Sequence, residues 1–223
     1  MIDAPAASPT RETPPGRDTP KSARTRARIL DCALRLFAQI GYAEATNPRI
    51  AEEAGLTRGA MLYHFPTREA LVQAAAEHIH LARSALMTEA AAGPAAGVDV
   101  AERAIDLYWS LLGQPPFIAF AELEAVARTN PTIAGYIAPY CEAFDRAQVG
   151  DQLLGLLSAG AGARFQTSRD LARFMLEGLA RATLTYDADG RVQRLLAVIK
   201  RATHMLNRKG AIQDLWPEEP PSR

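Results

Sequence analysis

Residues 46–71 read TNPRIAEEAGLTRGAMLYHFPTREAL, and the types and spacing of their polar groups could serve contacts to bases and phosphates. Arg58 can give two hydrogen bonds to a guanine edge. Gly59 and Ala60 are small, so a backbone can come close and a thymine methyl can pack. Tyr63 and His64 can donate to phosphate oxygens, and Arg68 adds a cation beyond the helix. Helix starts near Thr46 and Thr67 offer free backbone N–H groups to phosphate. Groupings that would catalyse are missing from the sequence: there is no Ser-His-Asp arrangement, no phosphate-cradling glycine loop and no paired-carboxylate signature. Glu52, Glu53, Glu122 and Glu124 read as solvated or capping positions. His78 and His80 stand two apart on a helix and cannot share a face. Cys32 and Cys141 match no metal-ligand spacing. The expectation is a chain that is not an enzyme and needs no metal or cofactor.

Helices must position those residues. Ile29, Ala33, Leu36, Phe37 and Ile40 recur at i, i+4, i+7, i+8 and i+11, one face of a helix starting near Lys21. Gly41 stops it through the left-handed cap conformation. A short helix follows, capped by Thr46, with Pro48 tolerable in its first turn. It ends at Gly55, where the chain must turn through positive φ. Thr57 caps a second short helix to about His64, and Leu56, Met61 and Phe65 pin it to the core. Two short helices joined by such a turn meet the requirements of a helix-turn-helix, whose second helix lies in the DNA major groove.

The rest of the 223-residue chain also reads as helix, and no alternating strand pattern or internal repeat interrupts it. Thr67 caps a long helix to about residue 92. Residues 92–97 are a loop, and Asp99 caps a helix to 112. Pro115 and Pro116 begin one to about 128. The pattern over 131–158 is helical, but Pro139 is expected to kink or split it, since proline inside a helix costs about 3 kcal/mol. After a loop at 158–163, Thr167 or Ser168 caps a helix to 186. A turn at 187–190 leads to the last helix, 191–207. The fold class is therefore all-α, with a three-helix N-terminal helix-turn-helix domain and a larger helical domain.

Composition agrees with a folded chain: 48% of residues are hydrophobic and 22% are charged. Lys and Arg total 25 and so do Asp and Glu, so bulk charge does not announce a nucleic-acid partner. The local pattern is more telling, because Lys21, Arg24, Arg26 and Arg28 form a basic run entering the first helix. No stretch approaches the ~18 apolar residues of a membrane helix. The N-terminal residues lack the apolar core of a secretory signal, so no membrane partner and a cytoplasmic location are expected. The first 20 residues hold Pro5, Pro9, Pro14, Pro15 and Pro20 and almost no large apolar side chain, which predicts a disordered arm. The expected organisation is an arm at 1–20, a DNA-binding domain at 21–66, a ligand-binding and dimerisation domain at 67–210 and a flexible tail at 211–223.

From about Arg26 to Leu71 the sequence resembles the DNA-binding domain of the TetR/AcrR family of transcriptional regulators. The resemblance rests on LFAQIGY closing the first helix, on IAEEAGLTRGAMLYHF and on PTREAL opening the fourth helix. The stretch AVARTNPTIAGYIAPY also resembles a segment of that family's second domain. The resemblance implies DNA contacts by Arg26, Thr46, Asn47, Thr57, Arg58, Gly59, Ala60, Tyr63, His64 and Arg68. This chain departs from the family pattern at Asn47, at Pro48, which removes a base-reading side chain, and at Leu62, which removes a phosphate-donating hydroxyl.

The resemblance also implies a small-molecule effector bound in the second domain. A helix kinked at Pro139 would leave a cavity between helices. Trp109, Phe120, Tyr136 and Tyr140 are expected to wall it, with Glu122, Glu124 or Cys141 as polar contacts. An aromatic lining suits an apolar or aromatic ligand.

The helices near 168–186 and 191–207 carry apolar stripes: Leu171, Phe174, Met175, Leu179, Ala182 and Tyr186, then Val192, Leu195, Leu196, Ile199, Ala202 and Met205. In the family such a pair packs against its two-fold mate, and helix-turn-helix domains read palindromes when two are held about 34–36 Å apart. The implied function is a homodimeric repressor, released from a palindromic operator on double-stranded DNA by an inducer. Two alternatives stay open: a ligand-binding module whose DNA reading is weakened or lost, and an activator.

Overall fold

The computed structural model describes residues 19–92, 100–150, 163–186 and 190–207. Among them are nine helices and no strand: α1 (Pro20–Glu44), α2 (Asn47–Glu53), α3 (Arg58–His64), α4 (Arg68–Ala91), α5 (Val100–Leu112), α6 (Pro115–Ala127), α7 (Pro131–Gly150), α8 (Ala163–Tyr186) and α9 (Arg191–Asn207). The expected Asp99 cap and the terminal tail fall outside the described residues, as do positions 1–18 of the expected arm.

Local chemistry explains the N-terminal elements. Thr19 caps α1, its hydroxyl accepting the Ser22 N–H at 3.2 Å, and Pro20 fills the first turn, where no N–H is needed. The buried face of α1 is Ile29, Leu30, Cys32, Ala33, Leu34 and Phe37. Ile40, expected on that face, is 39% exposed and is the last residue before the break at Gly41, whose φ is 79°. Thr46 occupies the cap position of α2, but its hydroxyl makes no capping bond. At the end of α2, Gly55 sits at φ 62°. Its N–H reaches the Glu52 carbonyl and the Leu56 N–H reaches that of Ala51, both within 2.9 Å. That pair of bonds is a Schellman motif, and the left-handed residue it needs is the glycine. The hydroxyls of Thr57 and Thr67 cap α3 and α4 by accepting the Ala60 and Ala70 N–H groups.

Two apolar clusters hold the helices together. The first joins α1–α3 to Leu71, Val72, Ala75, Ala76 and Ile79 of α4, and also takes in Ala119, Phe120 and Leu123 of α6 and Ile133 and Ile137 of α7. The second gathers Met87, Ile105, Tyr108, Leu111, Phe117, Phe144, Ala172, Leu176, Val192, Leu196 and Ile199. α4, about 36 Å long at 1.5 Å per residue, contributes to both. α1–α3 are therefore seated partly on α6 and α7.

Two expectations about helix limits are corrected. α7 runs through Pro139 as one helix, so the proline does not split it. Pro139 and Gly135, whose carbonyl loses its partner, both lie on the exposed side, where water can take that carbonyl. α8 begins at Ala163, ahead of the expected caps, and Ser168 is 2% exposed inside it.

Candidate nucleic-acid interface

α3 turns one residue inward and most of the others out. Met61 is buried and Phe65, just beyond, is 1% exposed. Arg58, Gly59, Leu62 and Tyr63 face solvent, Tyr63 at 74% exposure. Ala60 and His64 are half-buried. The Tyr63 ring meets the His64 ring edge to face, centroids 5.1 Å apart. A Cβ on Gly59 would meet nothing within 4 Å, so nothing inside the described protein demands glycine there. Arg58 makes no ion pair among the described residues, unlike Arg35 and Arg49, which pair with Glu53 at 3.3 Å and Glu44 at 3.1 Å.

Two arginines expected to contact DNA make bonds within the protein. Arg26 donates to the His64 carbonyl at 3.1 Å and lies 4.2 Å over the Phe65 ring. It fastens the end of α3 to α1, while its side chain stays at the surface. Arg68 is more fully engaged. It donates to the carbonyls of Ala45 at 2.7 Å and Tyr42 at 3.2 Å and to the Asn47 side-chain oxygen at 3.2 Å. It also lies over the Tyr42 and Phe37 rings. The carbonyls at the end of α1 lack helical partners, and Arg68 supplies donors to them. Arg68 and the Asn47 oxygen are thereby directed inward rather than toward a phosphate. Thr57 spends its hydroxyl on the cap, whereas Thr46 does not.

Three of the residues expected to wall an effector site share one apolar cluster and the fourth joins the other. Tyr136 and Tyr140 pack on the first cluster, where Phe120 is 1% exposed, while Trp109 packs on the second. Tyr140 stacks on His80 with centroids 5.2 Å apart, and burial lowers the His80 pKa. His78 pairs with Asp31 at 2.7 Å. The structure instead gathers charge around Arg83, which the sequence reading passed over. Arg83 is 5% exposed and lies 3.7 Å from the centroids of both Phe120 and Phe144. Burial brings its pKa down to about 10.

Around it, Glu177 accepts Arg173 Nε at 2.8 Å and the Tyr108 hydroxyl at 2.7 Å. Arg173 also reaches Asp145. Burial works against the Arg173 charge, but these two acids more than offset it and raise its pKa. Burial, helped by Glu177, raises the Tyr108 pKa. Glu122 and Glu124, expected as solvated or capping positions or as polar contacts of an effector, are half-buried. Burial raises the Glu124 carboxyl, and Arg181 lies 3.5 Å from it. The signal for Arg83 was present: it continues the buried series Ile79, Arg83, Met87 at four-residue steps.

Residues 29–75 match the family described as bacterial regulatory proteins, tetR family. The HTH-type transcriptional regulator TtgR of Pseudomonas putida is 42% identical over 73 residues, covering 30% of this chain and 35% of TtgR. The match thus spans about a third of that relative. Solved structures extend the likeness along the chain. A transcriptional regulator from Rhodococcus sp. Rha1 has TM-score 0.62 at 20% identity, covering 81% of this chain and 95% of the other. The multidrug binding protein EbrR complexed with ethidium has TM-score 0.54 at 24% identity, covering 80% and 98%. At these identities the structures share the fold. The sequence match from α1 into α4 shows that residues 29–75 carry a domain of the tetR family of bacterial regulatory proteins, and the fold of solved regulators extends over about 80% of the chain.

Proposed function

We propose that the chain is a DNA-binding transcriptional repressor, released from a palindromic operator by a small apolar or aromatic effector. The observation that carries this reading is Tyr63. A tyrosine 74% exposed on a seven-residue helix, beside an Arg58 that no described acid pairs and a glycine with open space at its Cβ, is surface arranged for an outside partner. Residues 21–66 carry the reading head in this scheme, and residues 67–210 carry the effector site and the dimer contact. A cytoplasmic location follows from the DNA partner, and no described helix is long and apolar enough to cross a membrane.

Dimerisation is supported by α8 and α9. Ala172, Leu176, Val192, Leu196 and Ile199 face the chain's own second cluster. Leu171, Phe174, Leu195 and Val198 remain between 41% and 62% exposed. Each helix therefore has a second apolar face, the arrangement that a two-fold four-helix contact needs. Effector binding is supported by the like-folded EbrR, which holds ethidium. An effector that prefers a dimer with the wrong head spacing shifts the population off DNA.

Enrichment of random duplex DNA by the full chain at moderate salt tests the proposal. A palindrome with half-sites about one helical turn apart, bound with steep salt dependence, is expected. A folded dimer that enriches nothing would overturn DNA reading and leave a ligand-binding module. With the operator in a reporter, expression below the operator-free level is expected; expression above it would make the protein an activator.

A further inference from the structure

Arg83 is enclosed, charged and incompletely bonded. The rings of Phe120 and Phe144 approach its guanidinium carbon at 3.7 Å each, with Phe117 at 6.0 Å. Those contacts serve the faces of the cation. They leave its in-plane donors unserved: Nε and Nη2 are buried and have no hydrogen-bond partner among the described residues. Buried donors are otherwise almost always paired, and an unpaired buried charge is strongly unfavourable.

The neighbouring acids are engaged elsewhere. Glu177 accepts from Arg173 and Tyr108, Asp145 accepts from Arg173, and Glu124 faces Arg181 and the Cys141 thiol. No carboxylate lies within ion-pair distance of Arg83 among the described residues. The two open atoms are also a particular pair. Nε–H and Nη2–H run parallel along one edge of the guanidinium, the fork that binds both oxygens of a carboxylate.

We propose that Arg83 is the anchor for a carboxylate on the effector, whose apolar or aromatic body packs against Phe117, Phe120 and Phe144. This rests on the ligand-responsive reading above and narrows it to one chemical class, small apolar or aromatic carboxylates. The effector's oxygens complete the Arg83 hydrogen bonds, and its ring replaces contacts that the phenyl groups make with each other and with the cation.

The test uses the full chain with three probes of one shape: 1-naphthoate, neutral 1-naphthamide and cationic 1-naphthylmethylammonium. Calorimetry is expected to show naphthoate binding at least about tenfold tighter than naphthamide, with the cation weakest. Arg83→Met, similar in length and uncharged, should abolish that preference and melt no lower than the wild type, because it removes an unmatched buried charge. Arg83→Lys should keep only part of the preference, having the charge without the fork. The proposal is overturned if naphthoate fails to bind, if naphthamide or the cation binds as well, or if Arg83→Met keeps the preference. A fall in melting temperature for Arg83→Met with naphthoate affinity unchanged would make Arg83 a packing residue and overturn it too. Release of operator DNA by the neutral or cationic probe would sink the carboxylate while leaving the ligand-responsive reading intact. Failure to hold any operator would sink that reading separately.

Discussion

The Glu122 carboxylate on α6 accepts the backbone N–H of Tyr42 at 3.4 Å, where Gly41 has just broken α1. A Cβ on Gly41 would lie 3.0 Å from the same carboxylate. Two residues earlier on α6, Phe120 covers Arg83. One short helix therefore touches both the buried cation and the end of α1. A shift of α6 at Phe120 has a direct route to α1 through Glu122, in addition to the route along α4.

Substitutions at this joint separate stability from coupling. Gly41→Ala places a side chain at φ 79° and against Glu122, so a loss of about 1–3 kcal/mol in urea unfolding is expected. Glu122→Ala removes an acceptor from a part-buried N–H at a cost of about 1 kcal/mol. The Glu122→Ala dimer should still hold its operator, but effector should release it less completely. Full release by effector in titrations of operator-bound Glu122→Ala would show that α6 carries no signal.

Arg58 and Arg68 should fail in opposite ways. Arg68→Ala strips donors from the carbonyls of Tyr42 and Ala45 and a cation from two rings, so a loss of roughly 2–4 kcal/mol in stability is expected. Its DNA affinity should fall only through misplacement of the head. Arg58→Ala should leave stability within about 0.5 kcal/mol, weaken operator binding by about 1–3 kcal/mol and relax preference at one base position. Paired unfolding and binding curves check both; an Arg68→Ala protein as stable as the wild type would contradict its role as a clamp.

The contrast between these two arginines also marks what the sequence discloses. Caps at Thr57 and Thr67 and the turns at Gly41 and Gly55 were legible because the chemistry that makes them spans a few residues. The pinning of α3 by Met61 and Phe65 was legible from spacing. Arg68 was not, since its carbonyl partners lie 23 and 26 residues away and a cation opening a helix reads as free. Arg83 was hidden for a related reason: spacing assigns it to the core, residue type assigns it to the surface, and only the packing of α6 and α7 decides. Trp109 and Phe120 were grouped by being aromatic, which says nothing about which of two clusters each joins.

The outward faces of α8 and α9 predict a dimer that one charge can break. Phe174 is 62% exposed and Val198 58%, and neither belongs to the chain's own core. Phe174→Glu should give a monomer by sedimentation at micromolar concentration with its helical content kept. Operator affinity should collapse with it, because one head makes half the contacts. A dimer surviving both Phe174→Glu and Val198→Glu would place the two-fold contact elsewhere.

Cys141 should not act as a thiol switch. Burial, reinforced by Glu124, pushes its pKa from 9.0 to about 11, and Cys32 is 1% exposed and also raised by burial. The thiolate is the reactive form, so raising the pKa by about two units cuts its population about a hundredfold anywhere below pH ~9. The raised value favours the neutral thiol, so labelling should stay slow through pH ~7–8 and gain about tenfold per unit as pH climbs toward about 11. Timed alkylation of the folded chain, read by mass spectrometry, checks this against the unfolded chain as the fast reference. Operator binding should be indifferent to mild peroxide in both the wild type and Cys141→Ser. Complete labelling of folded Cys141 within minutes at about pH 7.5 would show that its surroundings stabilise the thiolate after all, and would move Arg83 and Arg173 from bystanders to its activating charges.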